Sequence, residues 1–215
     1  MHHRPDLEPT AGQRLRAGAV AALVGLVATG CGGLLPKNAP RYVEPPVTVD
    51  SAKVRVVNTR PFAYYADIAV FDSPSCFTKA NLGMTGGDSS DRERLGMLDS
   101  GPPSAATLER MVRADEVLVI GPRAVFPTVT SSEIMHSMLP DTQNDLRARR
   151  AGVCKVPAFV PKAGEQYEVV VDLAPARCTV TPYRLVAAGG AVTREPVETL
   201  PSQISTYEFD LKCFK

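Results

Sequence analysis

Apolar positions along this chain fall into two regimes. Residues 17–29 (AGAVAALVGLVAT) form one run of thirteen residues without a charge. Beyond about residue 50 the apolar residues come instead in short β-branched or alternating runs cut by Gly and Pro. Such runs predict strands. The first is 53–58 (KVRVVN) and the second is 65–72 (YADIAVFD), ended by Ser73-Pro74-Ser75. Residues 79–106 predict a loop. Gly83, Gly86, Gly87, Gly96, Gly101 and Pro102-Pro103 leave room for at most one short helix, near 90–98. In 108–120 (LERMVRADEVLVI), Ala114-Asp115 reads as a turn between strands at 108–113 and 116–121. A helix over 105–114 is the alternative, because good helix formers open the segment. Thr130 and Glu133 have capping-box spacing and predict a helix over 131–138, closed by Pro140. A further turn or two is expected over 142–150, before Gly152. Strands follow at 165–172 and at 178–186, the latter weakened by Pro182. Gly189-Gly190 signals a hairpin into 191–199, and Tyr207, Phe209, Leu211 and Cys213 alternate along a final strand, 206–213. Many short strands with Gly/Pro turns predict a mainly β fold, an antiparallel β-sandwich with one or two short helices in its connections. With 19 Pro and 16 Gly, a helix bundle is excluded.

The first regime is an address. Arg14 and Arg16 precede the apolar run, small residues follow it, and a spanning helix would need roughly 20 apolar residues. That is the pattern of a secretory signal. Its end, Leu26-Val27-Ala28-Thr29-Gly30-Cys31, resembles the lipobox of bacterial lipoproteins. The resemblance implies that residues 1–30 are a signal peptide and that Cys31 is acylated and becomes the first mature residue. Gly32 in place of an acidic residue then favours the outer membrane, with the domain facing the periplasm. Residues 31–50, with Pro36, Pro40, Pro45 and Pro46, read as the lipidated N-terminus and a Pro-rich tether. The β domain is expected over 51–215.

Charge and histidine content narrow the function. The whole chain carries a formal +1, which argues against a nucleic-acid partner. Removing the leader takes away three Arg and two acids and leaves 21 basic and 21 acidic residues. Lipid rather than charge must therefore hold the protein to a membrane. His136 is then the only histidine. It sits near Ser131, Ser132, Ser137 and Asp141, but no G-x-S-x-G elbow accompanies it, and a surface histidine is the simpler reading. The stretch from Gly86 to Glu93 lacks the D-x-D-x-D-G spacing of a calcium loop. Arg147, Arg149 and Arg150 read as a solvated helix face. No catalytic set, cofactor or metal site is expected, and the protein is read as a non-enzyme.

Five cysteines divide into one lipid attachment, Cys31, and four others. Cys76, Cys154, Cys178 and Cys213 are an even set in an exported chain and predict two disulfides. If 178–186, 191–199 and 206–213 form a meander, Cys178 and Cys213 lie at opposite ends, and Cys154–Cys213 is favoured. If 191–199 leaves the sheet, Cys178 faces Cys213. The stretch 154–213 also resembles a layout of uncharacterised proteobacterial envelope lipoproteins. It has Cys154, then Phe159, Pro161, Gly164, Tyr167 and Glu168, then Cys178 and Cys213. That resemblance implies an immunoglobulin-like or transthyretin-like sandwich. Together with Pro196 it favours Cys178–Cys213 with Cys76–Cys154. The function expected is a lipid-anchored envelope interaction or assembly module with an envelope protein partner. The alternatives are a periplasm-facing inhibitor or small-ligand-binding lipoprotein acting through 79–106, and an accessory lipoprotein of a secretion system.

Overall fold

The computed structural model describes residues 39–48, 50–72, 77–86, 94–98, 106–129, 144, 148–202, 204–207 and 210–213. Twelve strands lie among them. They are β1 (Ser51–Asn58), β2 (Tyr64–Asp72), β3 (Phe77–Thr85), β4 (Thr107–Arg113), β5 (Leu118–Pro127) and β6 (Cys154–Lys155). After these come β7 (Ala158–Phe159), β8 (Gln166–Ala174), β9 (Arg177–Ala188), β10 (Ala191–Pro196), β11 (Ile204–Tyr207) and β12 (Asp210–Cys213). The fold is mainly β and has two sheets. The larger runs β12-β11-β6-β9-β8-β1-β4, with β10 also on β9; the smaller runs β3-β2-β5-β7.

The alternation of β1 decides which face is buried. Ala52, Val54 and Val56 are 0–1% exposed, and with Leu108 and Val112 of β4 and Val169 and Val171 of β8 they form the inner face of the large sheet. They share one cluster with Tyr64, Ala66, Ile68 and Val70 of β2 and Ile120 of β5, so the main core draws on both sheets. Each such valine, leucine or isoleucine contributes about 1.5–3 kcal/mol. A second cluster takes Ala69, Phe71 and Val119 with Val156, Ala158 and Ile204. It covers the other face of β2, which is why β2 is buried along most of its length.

Several expectations are corrected. The large sheet is not purely antiparallel, since β1 runs parallel to β8 and β6 runs parallel to β9. β3 occupies part of the expected 79–106 loop. Its hydrophobic pattern is obscured by Lys79, Asn81 and Gly83, and its pairing with β2 shifts register twice. Residues 94–98 are not helical. The expected strand 206–213 is instead a tight hairpin, β11 to β12, pairing Tyr207 with Asp210. Pro196 does not take its strand out of the sheet; β10 stays on β9 with Pro196 opposite Tyr183. The expected helix 131–138 lies outside the described residues, as does most of 142–150.

The body of the domain begins at Ala39 rather than at residue 51. Tyr42 N–H donates to Asn81 O and Asn81 N–H donates to Pro40 O, so residues 40–42 add to the edge of β3. Tyr42 hydroxyl donates to Met111 O, and Glu44 accepts from Met111 N–H, so the same segment reaches β4. The last part of the expected tether is thus a strap across the outer edges of the two sheets.

One glycine is set by a close approach. A Cβ on Gly152 would lie 2.4 Å from Ala176 O, beside the start of β9. Gly152→Ala is therefore expected to lower stability by about 1–3 kcal/mol. A denaturant midpoint equal to wild type would show that this contact can relax.

Candidate functional site

β6 is only two residues long, yet it places Cys154 directly opposite Cys178 of β9. The two form a disulfide with a Cα–Cα distance of 4.8 Å. This corrects both expected pairings, Cys178–Cys213 and Cys76–Cys154. Its physical reason is the β11–β12 hairpin. Cys213 lies on β12, with β11 and β6 between it and β9. Three inter-strand steps are about 14 Å, beyond disulfide reach. Cys31, Cys76 and His136 lie outside the described residues, as do Ser131, Ser132, Ser137, Asp141 and Arg147. Arg149 and Arg150 are described, and they sit just before Ala151, which bridges to Pro175.

The residues of the quoted Phe159–Glu168 layout have structural roles. The Phe159 and Tyr167 rings pack 5.5 Å apart. Gly164 takes φ 74 in the turn before β8, and its N–H donates to Ser51 O. Pro161 O accepts from Asp115 N–H, which ties this turn to the β4–β5 turn. Tyr167 hydroxyl donates to Glu165 and accepts from Lys162 N–H. Burial and then the Glu165 bond push Tyr167 up to about 12.

Glu168 belongs to a buried charge ladder on the outer face of the large sheet. Arg55 of β1 lies between Glu109 of β4 and Glu168 of β8 in register. Arg55 Nη2 is 2.6 Å from Glu168 Oε2, with side chains 5% and 1% exposed. Arg194 of β10 reaches Glu168 Oε1 at 2.5 Å, and Arg94 reaches Glu109 Oε1 at 2.9 Å. Residues 94–98 cover this face. Leu95 N–H donates to Glu109 Oε2, Lys53 Nζ donates to Leu95 O, and Leu98 N–H donates to Gln166 Oε1. Each carboxylate of the ladder thus already faces a cation.

A groove of about 710 Å³ lies under the strap. One wall is strap, from Pro40 to Pro46; the other comes from β3 and the β4–β5 turn, including Lys79 and Val117. Tyr42 is pushed up to about 12, first by burial and then by Glu44. Its bond to Met111 O needs the protonated phenol. Tyr42 and Tyr167 ionise more easily in the unfolded chain, near 10.0, than in the fold. The stability they confer is complete below pH 10 and is lost as pH rises through about 12. Burial raises Tyr64 as well, so absorbance titration should show at least three late tyrosines, one of them removed by Tyr42→Phe. Six tyrosines titrating together near 10 in folded protein would contradict this.

The groove was not legible as a site in the sequence. Its only signal was an aromatic and an acid, Tyr42 and Glu44, set among prolines. Among the described residues no group of three or more His, Cys, Asp or Glu could hold a metal ion. No helix among them is long and apolar enough to cross a membrane. No protein-family model matches the chain, and neither a curated protein nor a solved structure matches it.

Proposed function

We propose that the protein is a lipid-anchored cell-envelope module, acylated on Cys31 and held on the periplasmic face of the outer membrane, that works by binding rather than by catalysis. The observation that carries this reading is the Cys154–Cys178 disulfide. Structural disulfides persist in oxidising compartments and are rare in the cytosol. The disulfide therefore agrees with an export signal at the other end of the chain, an independent feature. The two-sheet core supports an immunoglobulin-like or transthyretin-like sandwich, with β1/β8 and β6/β9 as parallel departures from the all-antiparallel form. The partner on this reading is an envelope protein.

Two experiments test it. Cells fed an alkyne fatty acid should label the wild-type protein and leave Cys31→Ser unlabelled; label persisting in Cys31→Ser overturns the reading. Non-reducing peptide mapping should recover Cys154 joined to Cys178. By elimination, Cys76 and Cys213 then form the second pair. Two free thiols at those positions would mean that this exported chain carries a single disulfide.

A further inference from the structure

We infer that the strap groove is the face the domain turns to the bilayer, resting on anionic phospholipid. The inference rests on the Cys31 anchor proposed above. Residues 31–38 separate that anchor from the first described strap residue, Ala39. Eight residues span at most about 28 Å fully extended. The strap does not let go of the domain after that point, because Tyr42, Asn81 and Met111 hold it by hydrogen bonds to both sheets. The groove therefore starts within about 28 Å of the lipid, and a long free tether does not intervene.

Its chemistry suits that neighbour. Val43 is 86% exposed and Val117 58% exposed, and both line the same groove; Val47, 79% exposed, follows on the strap. Single exposed valines are ordinary, but two lining one groove make an apolar lip. The groove's acids are engaged: Glu44 with Met111 N–H and Arg110, and Glu116 with Arg113. Arg41 and Lys79, both exposed, have no acidic partner among the described residues. An apolar lip flanked by unpaired cations matches the boundary between acyl chains and phosphate headgroups. Two cations are too few to recruit a soluble protein. They are enough to orient one that is already tethered.

The test uses the full chain made without acylation and coupled through the Cys31 thiol to a maleimide phospholipid, so it reads docking whether or not cells acylate Cys31. Hydrogen exchange is compared on phosphatidylglycerol and phosphatidylcholine vesicles. Amides of 39–46 and 114–118 should be protected on phosphatidylglycerol, while β8 exchanges alike on both. Each cation shifts the docked population about fivefold, so Arg41→Gln with Lys79→Gln should weaken protection about 25-fold. Val43→Asp should also weaken it, while leaving β8 protection intact. Equal exchange of the strap on both vesicles overturns the inference, as does protection indifferent to all three substitutions. Failure of the anchor itself is seen separately, in the fatty-acid labelling of wild type.

Discussion

Glu168→Ala is expected to lower the unfolding free energy by about 3–5 kcal/mol. Glu168 is 1% exposed and faces Arg55 on one oxygen and Arg194 on the other. Truncation leaves the Arg55 guanidinium, 5% exposed, without this partner. A domain of this kind has roughly 5–15 kcal/mol in total, so the variant should melt far below wild type or fail to accumulate. The double variant Arg55→Met with Glu168→Leu removes both charges and keeps volume. It should recover most of the loss, because paired burial is nearly balanced by desolvation. Denaturant midpoints decide the matter. A Glu168→Ala variant within 1 kcal/mol of wild type would mean that the other groups around Arg55, Glu109 in register among them, compensate its charge.

Loss of the Cys154–Cys178 bond is the second large effect. The bond closes a loop with a sequence separation of 24. Loop entropy then gives about 3.5 kcal/mol of stabilisation. It also pins β6, a strand of two residues, to β9. Without β6 the hairpin of β11 and β12 loses its link to the rest of the large sheet, since β11 pairs with β6. Cys154→Ala with Cys178→Ala should therefore lower the midpoint and also release the C-terminal hairpin to protease before global unfolding. An unchanged proteolysis pattern would show that contacts such as Thr206 hydroxyl to Pro122 O hold the hairpin unaided.

These two effects mark where sequence reading works and where it stops. β1, β8 and β9 are legible because β-branched runs with a polar alternate face write their own period, and β2 because it is a short apolar run bounded by turn residues. β4 and β5 are legible because Asp115 marks the turn between them, at φ 57. β3 is not, because two register shifts against β2 break any strict alternation. The charge ladder is not legible either. In KVRVVN, Arg55 alternates like a solvent-facing residue. Only the covering segment 94–98, far away in sequence, makes that face an interior. Disulfide connectivity failed for a similar reason. Cys154 sits on a strand too short to predict, and the turn at Tyr207–Asp210 reverses a segment whose alternation reads as one strand. The strap carries the same lesson. Prolines predict an extended chain, but nothing local says that Tyr42 will find Met111.

The lipid at Cys31 is what joins the export signal, the strap and the membrane face into one mechanism. The most direct measurement is the mass of the N-terminal peptide of the protein purified from its membranes. The account predicts a chain that begins at Cys31, carrying a thioether-linked diacylglycerol and lacking residues 1–30. An unmodified Cys31, or a mature chain that keeps residues 1–30, would contradict it.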